Sequence, residues 1–137
     1  MYYPYLRGRQ NELLCLRELL ENDVIGKKIV PIIEPVRFNS TYISVIKKFV
    51  EKHRNLIIIM NPKVGKFKEE YDTSQANIFN EENEKRKENL KNNIEKYMEC
   101  LNSPYVLRAY LVDNEIISKC MEGKINSKDV ILINVGK

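Results

Sequence analysis

Charged and amide side chains follow three short apolar runs in the first half of the chain. The runs lie in the segments YPYLRGRQ (3–10), KIVPIIEPV (28–36) and NLIIIMNPKVG (55–65), and their polar ends carry Arg7, Glu34 and Asn61. Glu34 can act as a general base or bind a divalent cation, and Arg7 can clamp a phosphate or carboxylate through paired hydrogen bonds. Asn61 can orient either group. These three residues are therefore the first candidates for catalysis.

Asp113 is the fourth candidate, because it follows a later apolar run, Tyr105 to Val112. The carboxyl ends of parallel strands lie at one edge of a sheet, so the four side chains are expected to converge. Glu34 and Asp113 are the expected ligands of a divalent metal. Five further residues near the same strand ends are predicted to bind the ligand: Arg9, Gln10, Lys63, Gly65 and Arg108.

Two of these interpretations have structural alternatives. Arg7 and Glu34 can form an ion pair across neighbouring strand ends, while Asn61 with the following proline makes a turn. Arg108 interrupts an apolar strand, and a buried guanidinium needs a carboxylate partner, for which Glu34 and Asp113 are the candidates. Alternatively, Arg108 points into solvent at a sheet edge.

Five apolar runs separated by helix-like segments predict a parallel α/β fold. The predicted strands are residues 3–10, 29–36, 56–60, 105–112 and 130–135. Four helices are predicted. The first begins at an Asn11 cap and ends near Gly26, and the second follows the NST triplet at 39–41. The third extends from residue 82 to the stop at Ser103-Pro104, and the fourth covers residues 115–123. Residues 66–82, rich in Lys, Glu and Asn, are predicted to form an exposed, mobile loop.

This order of elements is (βα)4β in a single domain over residues 1–137, and two arrangements fit it. One is half of a TIM-like (β/α)8 barrel, and the other is an open parallel sheet. A half barrel has two open edges, so it would be completed by a second copy in a homodimer, by another chain or by a C-terminal half.

Composition restricts the classes of partner. The formal net charge is only +4, so nucleic-acid binding is not strongly indicated, although KVGKFK (63–68) places three lysines where they could contact a nucleotide. No apolar run is long enough to span a bilayer, and the first residues lack the apolar core of a secretory signal. We therefore expect a cytoplasmic protein without a membrane partner.

Three strings, PYLRGRQNE (4–12), PIIEPV (31–36) and NPKVG (61–65), together resemble the beta protein family. This is a group of bacterial and phage proteins of unassigned activity whose members are longer than this chain. The resemblance covers residues 1–65 and implies a barrel-like α/β fold, a microbial source and a setting beside phage-defence genes. None of the strings is a known catalytic signature, so the resemblance names no reaction.

Two hypotheses of function follow. In the first, the strand-end residues bind a phosphorylated or nucleotide-like ligand, with a divalent metal, for a hydrolytic or lyase-type step. In the second, the chain is a non-catalytic interaction subunit whose open sheet is completed by another chain. The first predicts a cleft and the second a large apolar interface.

Overall fold

A computed structural model describes residues 1–126 and 130–134 of the chain. Its five parallel strands follow the order β1-β2-β3-β4-β5, which confirms the predicted (βα)4β arrangement. The strands are β1 (Tyr5–Gly8), β2 (Ile32–Pro35), β3 (Leu56–Ile59), β4 (Val106–Leu111) and β5 (Ile131–Ile133). The helices are α1 (Gln10–Glu21), α2 (Ser40–Glu51), α3 (Phe67–Asn80), α4 (Glu84–Leu101) and α5 (Asn114–Met121). Val135, the predicted end of the fifth strand, lies outside the described residues.

The strand order has no reversal, so the sheet lacks the switch point of a doubly wound fold. Because parallel crossovers are right-handed, strands added in one direction place their helices on one face of the sheet. The main core lies on that helix-covered face, where Ile33 and Ile58 pack with residues of the helices, such as Leu13 and Phe49.

The opposite face of the sheet carries a second apolar cluster. Its buried members are Val30, Ile57, Ile59, Ala109 and Leu111. No helix in the described part of the chain contributes to this cluster. We call this surface the helix-free face. Tyr5 and Leu107 belong to it by strand register and stay 40% and 39% exposed, respectively.

The prediction of a loop over residues 66–82 was wrong, because most of this segment forms helix α3. Phe67 and Tyr71, one helical turn apart, pack against the ring of Phe38. Glu70 forms a bidentate ion pair with Arg37, with N–O distances of 2.7 and 2.9 Å. These contacts hold α3 beside the end of β2, although most of its remaining residues are exposed as predicted.

The first helix begins and ends earlier than predicted. Arg9 is its N-cap, without a capping side chain, and Asn11 lies inside the first turn. The helix ends at Glu21, because Asn22 takes the C-cap position and Asp23 adopts a positive φ of 55°. The predicted cap of α2 is confirmed, since the Asn39 side chain accepts a hydrogen bond from the Tyr42 amide at 3.0 Å. Among the described residues, no helix combines the length and apolar content needed to cross a bilayer.

Five aromatic rings join α2, α3 and α4 into one cluster: Phe38, Tyr42, Phe67, Tyr71 and Tyr97. Tyr42 is fully buried and its hydroxyl lies 3.4 Å from that of Tyr97. Burial raises the pKa of Tyr42 well above its usual value and that of Tyr97 to about 12. Both groups therefore bind their protons more tightly in the folded chain than in the unfolded one.

We expect this cluster to make the protein sensitive to alkali. Below about pH 10, tyrosine is protonated in both states, so stability is fully present. Above that pH the unfolded chain ionises first, and each of the two tyrosines costs about 1.4 kcal/mol of unfolding free energy per pH unit. Urea unfolding on either side of pH 10 should show this loss, and Tyr42→Phe should reduce its slope. Equal slopes for the two proteins would contradict the assignment.

Candidate functional site

Glu34 is a buried carboxylate that holds two other segments together. It is only 4% exposed, and its Oε1 accepts a hydrogen bond from the Tyr5 hydroxyl at 2.7 Å. Its Oε2 accepts another from the backbone amide of Lys63, also at 2.7 Å. Burial and the hydrogen bond to Glu34 raise the pKa of Tyr5. Glu34 thus connects β1 to the segment between β3 and α3, residues 60–66, which we call the β3–α3 loop.

Asn61 and Gly65 fix the path of the same loop. The Asn61 side chain donates to the Leu111 carbonyl at 3.0 Å and accepts from the Leu111 amide at 2.8 Å, so it extends the pairing of β3 with β4. Gly65 has a φ of +72° and packs against Val36, whose carbonyl accepts the Lys66 amide at 2.8 Å. Both residues therefore position backbone in this structure.

Lys63 and Asp113 meet through their side chains. The Lys63 ammonium donates to Asp113 Oδ2, and Asp113 Oδ1 accepts the Ile116 amide at 2.8 Å, capping α5. The hydrogen bond from Lys63, together with the one from the Ile116 amide, lowers the pKa of the Asp113 carboxyl. Asp113 therefore anchors α5 and holds the ammonium end of the Lys63 side chain.

These contacts do not include the three candidates near the end of β1, which are Arg7, Arg9 and Gln10. Arg7 lies beside Glu34 in the strand register and is exposed. Within residues 1–126 and 130–134 it forms no ion pair with Glu34, whose oxygens are taken by Tyr5 and Lys63. Arg9 and Gln10 begin α1 and are exposed. The alternative of an Arg7 ion pair with Glu34 is therefore wrong.

A cleft of about 500 Å³ opens on the helix-covered side of the sheet, at the carboxyl ends of β3 and β4. Four cationic side chains line it: Lys63, Lys68, Arg108 and Lys119. Three tyrosine rings line it as well: Tyr71, Tyr97 and Tyr110. We call this the cationic cleft. Its volume falls within the usual range for small-molecule sites.

Arg108 reaches the cleft because of its register. It pairs with Ile58 of β3, which faces the helices, so Arg108 faces them too. Its Nη2 donates to Asn102 Oδ1 at 3.1 Å. The expected pairing with Glu34 or Asp113 was wrong: the guanidinium is half-buried at an open cleft and donates to the Asn102 amide oxygen instead.

The charges of the cleft are only partly compensated. Among the described residues that line it, Glu115 alone carries a carboxylate, and it pairs with Lys119 at 3.1 Å. Lys68 forms no ion pair in the described part of the chain. Lys63 keeps its contact with Asp113. The cleft therefore holds a positive excess.

Sequence reasoning identified some of these residues and missed others. Lys63 and Arg108 were predicted to bind the ligand, and Lys68 belongs to the lysine-rich segment 63–68. Lys119 and the three tyrosines were missed, because they lie on helices or inside a strand, away from the strand ends. The spacing of Phe67, Tyr71 and Ile78 is a helical signal that could have revealed α3 and, with it, one wall of the cleft.

The predicted metal site receives no support from the geometry. Among the described residues, Lys63 contacts both carboxylates: its backbone amide donates to Glu34 and its ammonium donates to Asp113. Over residues 1–126 and 130–134, no group of three or more His, Cys, Asp or Glu side chains is arranged to hold a metal ion. A metal bound by Glu34 and Asp113 stays a prediction.

Comparisons with protein-family models, with curated proteins and with solved structures found no match to this chain. Membership of the beta protein family therefore stays a prediction that rests on three strings. These strings are adjacent in space, since β1 pairs with β2, and Glu34 of the second string binds Tyr5 of the first and Lys63 of the third.

Proposed function

We propose that the cationic cleft binds a phosphorylated, nucleotide-like ligand. The observation that carries the proposal is the combination of four cationic side chains with three tyrosine rings in one cleft of about 500 Å³. Ammonium and guanidinium groups form charge-assisted hydrogen bonds with phosphate oxygens, and aromatic faces stack on bases. Tyr71 and Tyr110 are partly exposed and can offer a ring to a base, whereas Tyr97 is only 3% exposed and packs in the aromatic cluster.

Lys68 and Arg108 are the phosphate ligands that this proposal favours. Among the described residues, Lys68 has no ion pair that a ligand would have to break. The guanidinium of Arg108 donates to a neutral group, the Asn102 amide oxygen. Lys63 is committed to Asp113 and Lys119 to Glu115, so these two lysines add charge at the rim. The proposal concerns binding, because the only carboxylate among the described cleft residues is paired.

Isothermal titration with AMP and ADP tests this function. Replacing Lys68 or Arg108 by Gln should weaken nucleotide binding about tenfold each, because a hydrogen bond to a charged group contributes about 1.5–3 kcal/mol. Lys27→Gln is the matched control, since Lys27 is exposed and lies before β2, at the opposite end of the sheet. No binding by the unmodified protein, or equal binding by all variants, would contradict the proposal.

A second candidate function is association with another chain that completes the sheet. The observation that favours it is the helix-free face, together with the outer edges of β1 and β5, which pair with no other strand in the described part of the chain. Leu107 is 39% exposed on this face. If the face is an interface, Leu107→Glu should abolish the association, as measured by sedimentation.

A further inference from the structure

An apolar groove lies beside α1, on the side of the open edge strand β1. It has a volume of about 460 Å³ and is lined mostly by apolar side chains, including Leu6, Leu16 and Ile29. Tyr2, Leu19 and Val24 also line it and are exposed. No residue lines both this groove and the cationic cleft. We call it the α1 groove.

Glu12 makes the α1 groove chemically specific, because it is the one charged residue among the described residues that line it. Its Oε2 is buried, and no donor from the described residues reaches it. Buried acceptors in native proteins usually have a hydrogen-bond donor as partner. Glu12 as a whole is only half-buried and lines the groove, so its side chain favours an apolar surface that brings a cation.

The other end of the sheet presents a surface of that kind. Ile117 and Met121 of α5 are exposed, Met121 by 84%, and they are four residues apart on one side of the helix. Lys124 follows three residues later and is exposed, with Glu122 as its ion-pair partner at 3.0 Å. We call these three residues the α5 ridge. Its apolar pair and its ammonium complement the α1 groove and Glu12.

We propose that copies of this chain associate head to tail, with the α5 ridge of one copy in the α1 groove of the next. The two surfaces belong to elements next to opposite edge strands, β5 and β1, so the contact also brings two open strand edges towards each other. Lys124 donates to Glu12 of the second copy, as its three N–H groups allow while it keeps Glu122. Such a heterologous contact produces a closed ring or a filament.

Sedimentation velocity of the full chain over a wide concentration range tests the proposal. The unmodified protein should form species larger than a monomer. Leu19→Glu in the groove and Met121→Glu on the ridge should each weaken association by about tenfold or more. Val24→Glu gives a second groove variant outside a helix, and far-UV circular dichroism establishes that each variant is folded. A monomeric unmodified protein would overturn the proposal.

Mixing the two defective variants provides the decisive arm. Leu19→Glu keeps an intact ridge and Met121→Glu keeps an intact groove, so an equimolar mixture should form a dimer that neither forms alone. Leu107→Glu is the matched control, because Leu107 and Leu19 are 39% and 37% exposed. A mixture that stays monomeric overturns the head-to-tail contact. The contact is also overturned if Leu107→Glu dissociates the protein while Leu19→Glu and Met121→Glu do not. That result would assign the association to the helix-free face.

Discussion

Replacing Gly65 by Ala is expected to destabilise the protein by more than about 3 kcal/mol. A Cβ at this position would lie 2.5 Å from Val36 Cγ1 and 2.9 Å from Val36 Cα, and it would also overlap the Val36 carbonyl oxygen. The backbone of Val36 cannot withdraw easily, because its carbonyl accepts the Lys66 amide and the preceding residues belong to β2. The φ of +72° adds strain for any residue with a side chain.

Gly123→Ala is the matched control for this prediction. Gly123 has a similar φ of +78°, but a Cβ there meets no atom within 4 Å. Its replacement should therefore cost only the conformational penalty, about 1 kcal/mol. Urea unfolding of the two variants separates the steric contribution from the backbone contribution. Equal losses would contradict the predicted clash of the added Cβ with Val36.

Replacing Glu34 by Ala is expected to cost about 3 kcal/mol of unfolding free energy. The change removes two short hydrogen bonds, leaves the Lys63 amide without its acceptor and opens a gap beneath the β3–α3 loop. The loop carries Lys63 into the cationic cleft, so nucleotide affinity should fall as well. Glu51→Ala is the control, since Glu51 is exposed and its one ion pair, with Lys47, is long at 4.0 Å among the described residues. It should cost less than about 1 kcal/mol.

A double-mutant cycle with Tyr5→Phe assigns part of this loss to one hydrogen bond. Tyr5→Phe alone should cost about 1 kcal/mol, and the coupling energy between Tyr5 and Glu34 should be of similar size. Chemical denaturation of the two single variants and the double variant gives the coupling. A value near zero would contradict the contact between the Tyr5 hydroxyl and Glu34 Oε1.

The parallel sheet could be predicted because its central strands, β2 and β3, are buried on both faces. Leu56–Ile59 is fully buried, and such a strand shows in the sequence as a continuous apolar run. The sequence of β1 is a weaker strand signal than that of β3, because Tyr5 and Arg7 face the helix-free side and are exposed. Even so, the alternation of apolar runs with helical segments was sufficient to predict the five parallel strands, although helix α3 was missed.

The position of the cationic cleft could not be predicted in the same way. Strand-end reasoning places a site at the carboxyl edge, but it does not say which face of the sheet a side chain takes. Arg108 and Glu34 lie on opposite faces because their register partners do, and register depends on pairing that only the folded chain shows. Glu34 and Asn61, chosen first for chemistry, and Gly65, predicted to bind the ligand, instead hold the β3–α3 loop that presents Lys63.

An NMR titration of ¹⁵N-labelled protein with ADP, followed residue by residue, tests whether the cationic cleft binds a phosphorylated, nucleotide-like ligand. We expect saturable amide shifts that cluster around Lys63, Lys68, Arg108 and Lys119. Shifts confined to Arg7, Arg9 and Gln10, or no shifts at millimolar ADP, would contradict this function.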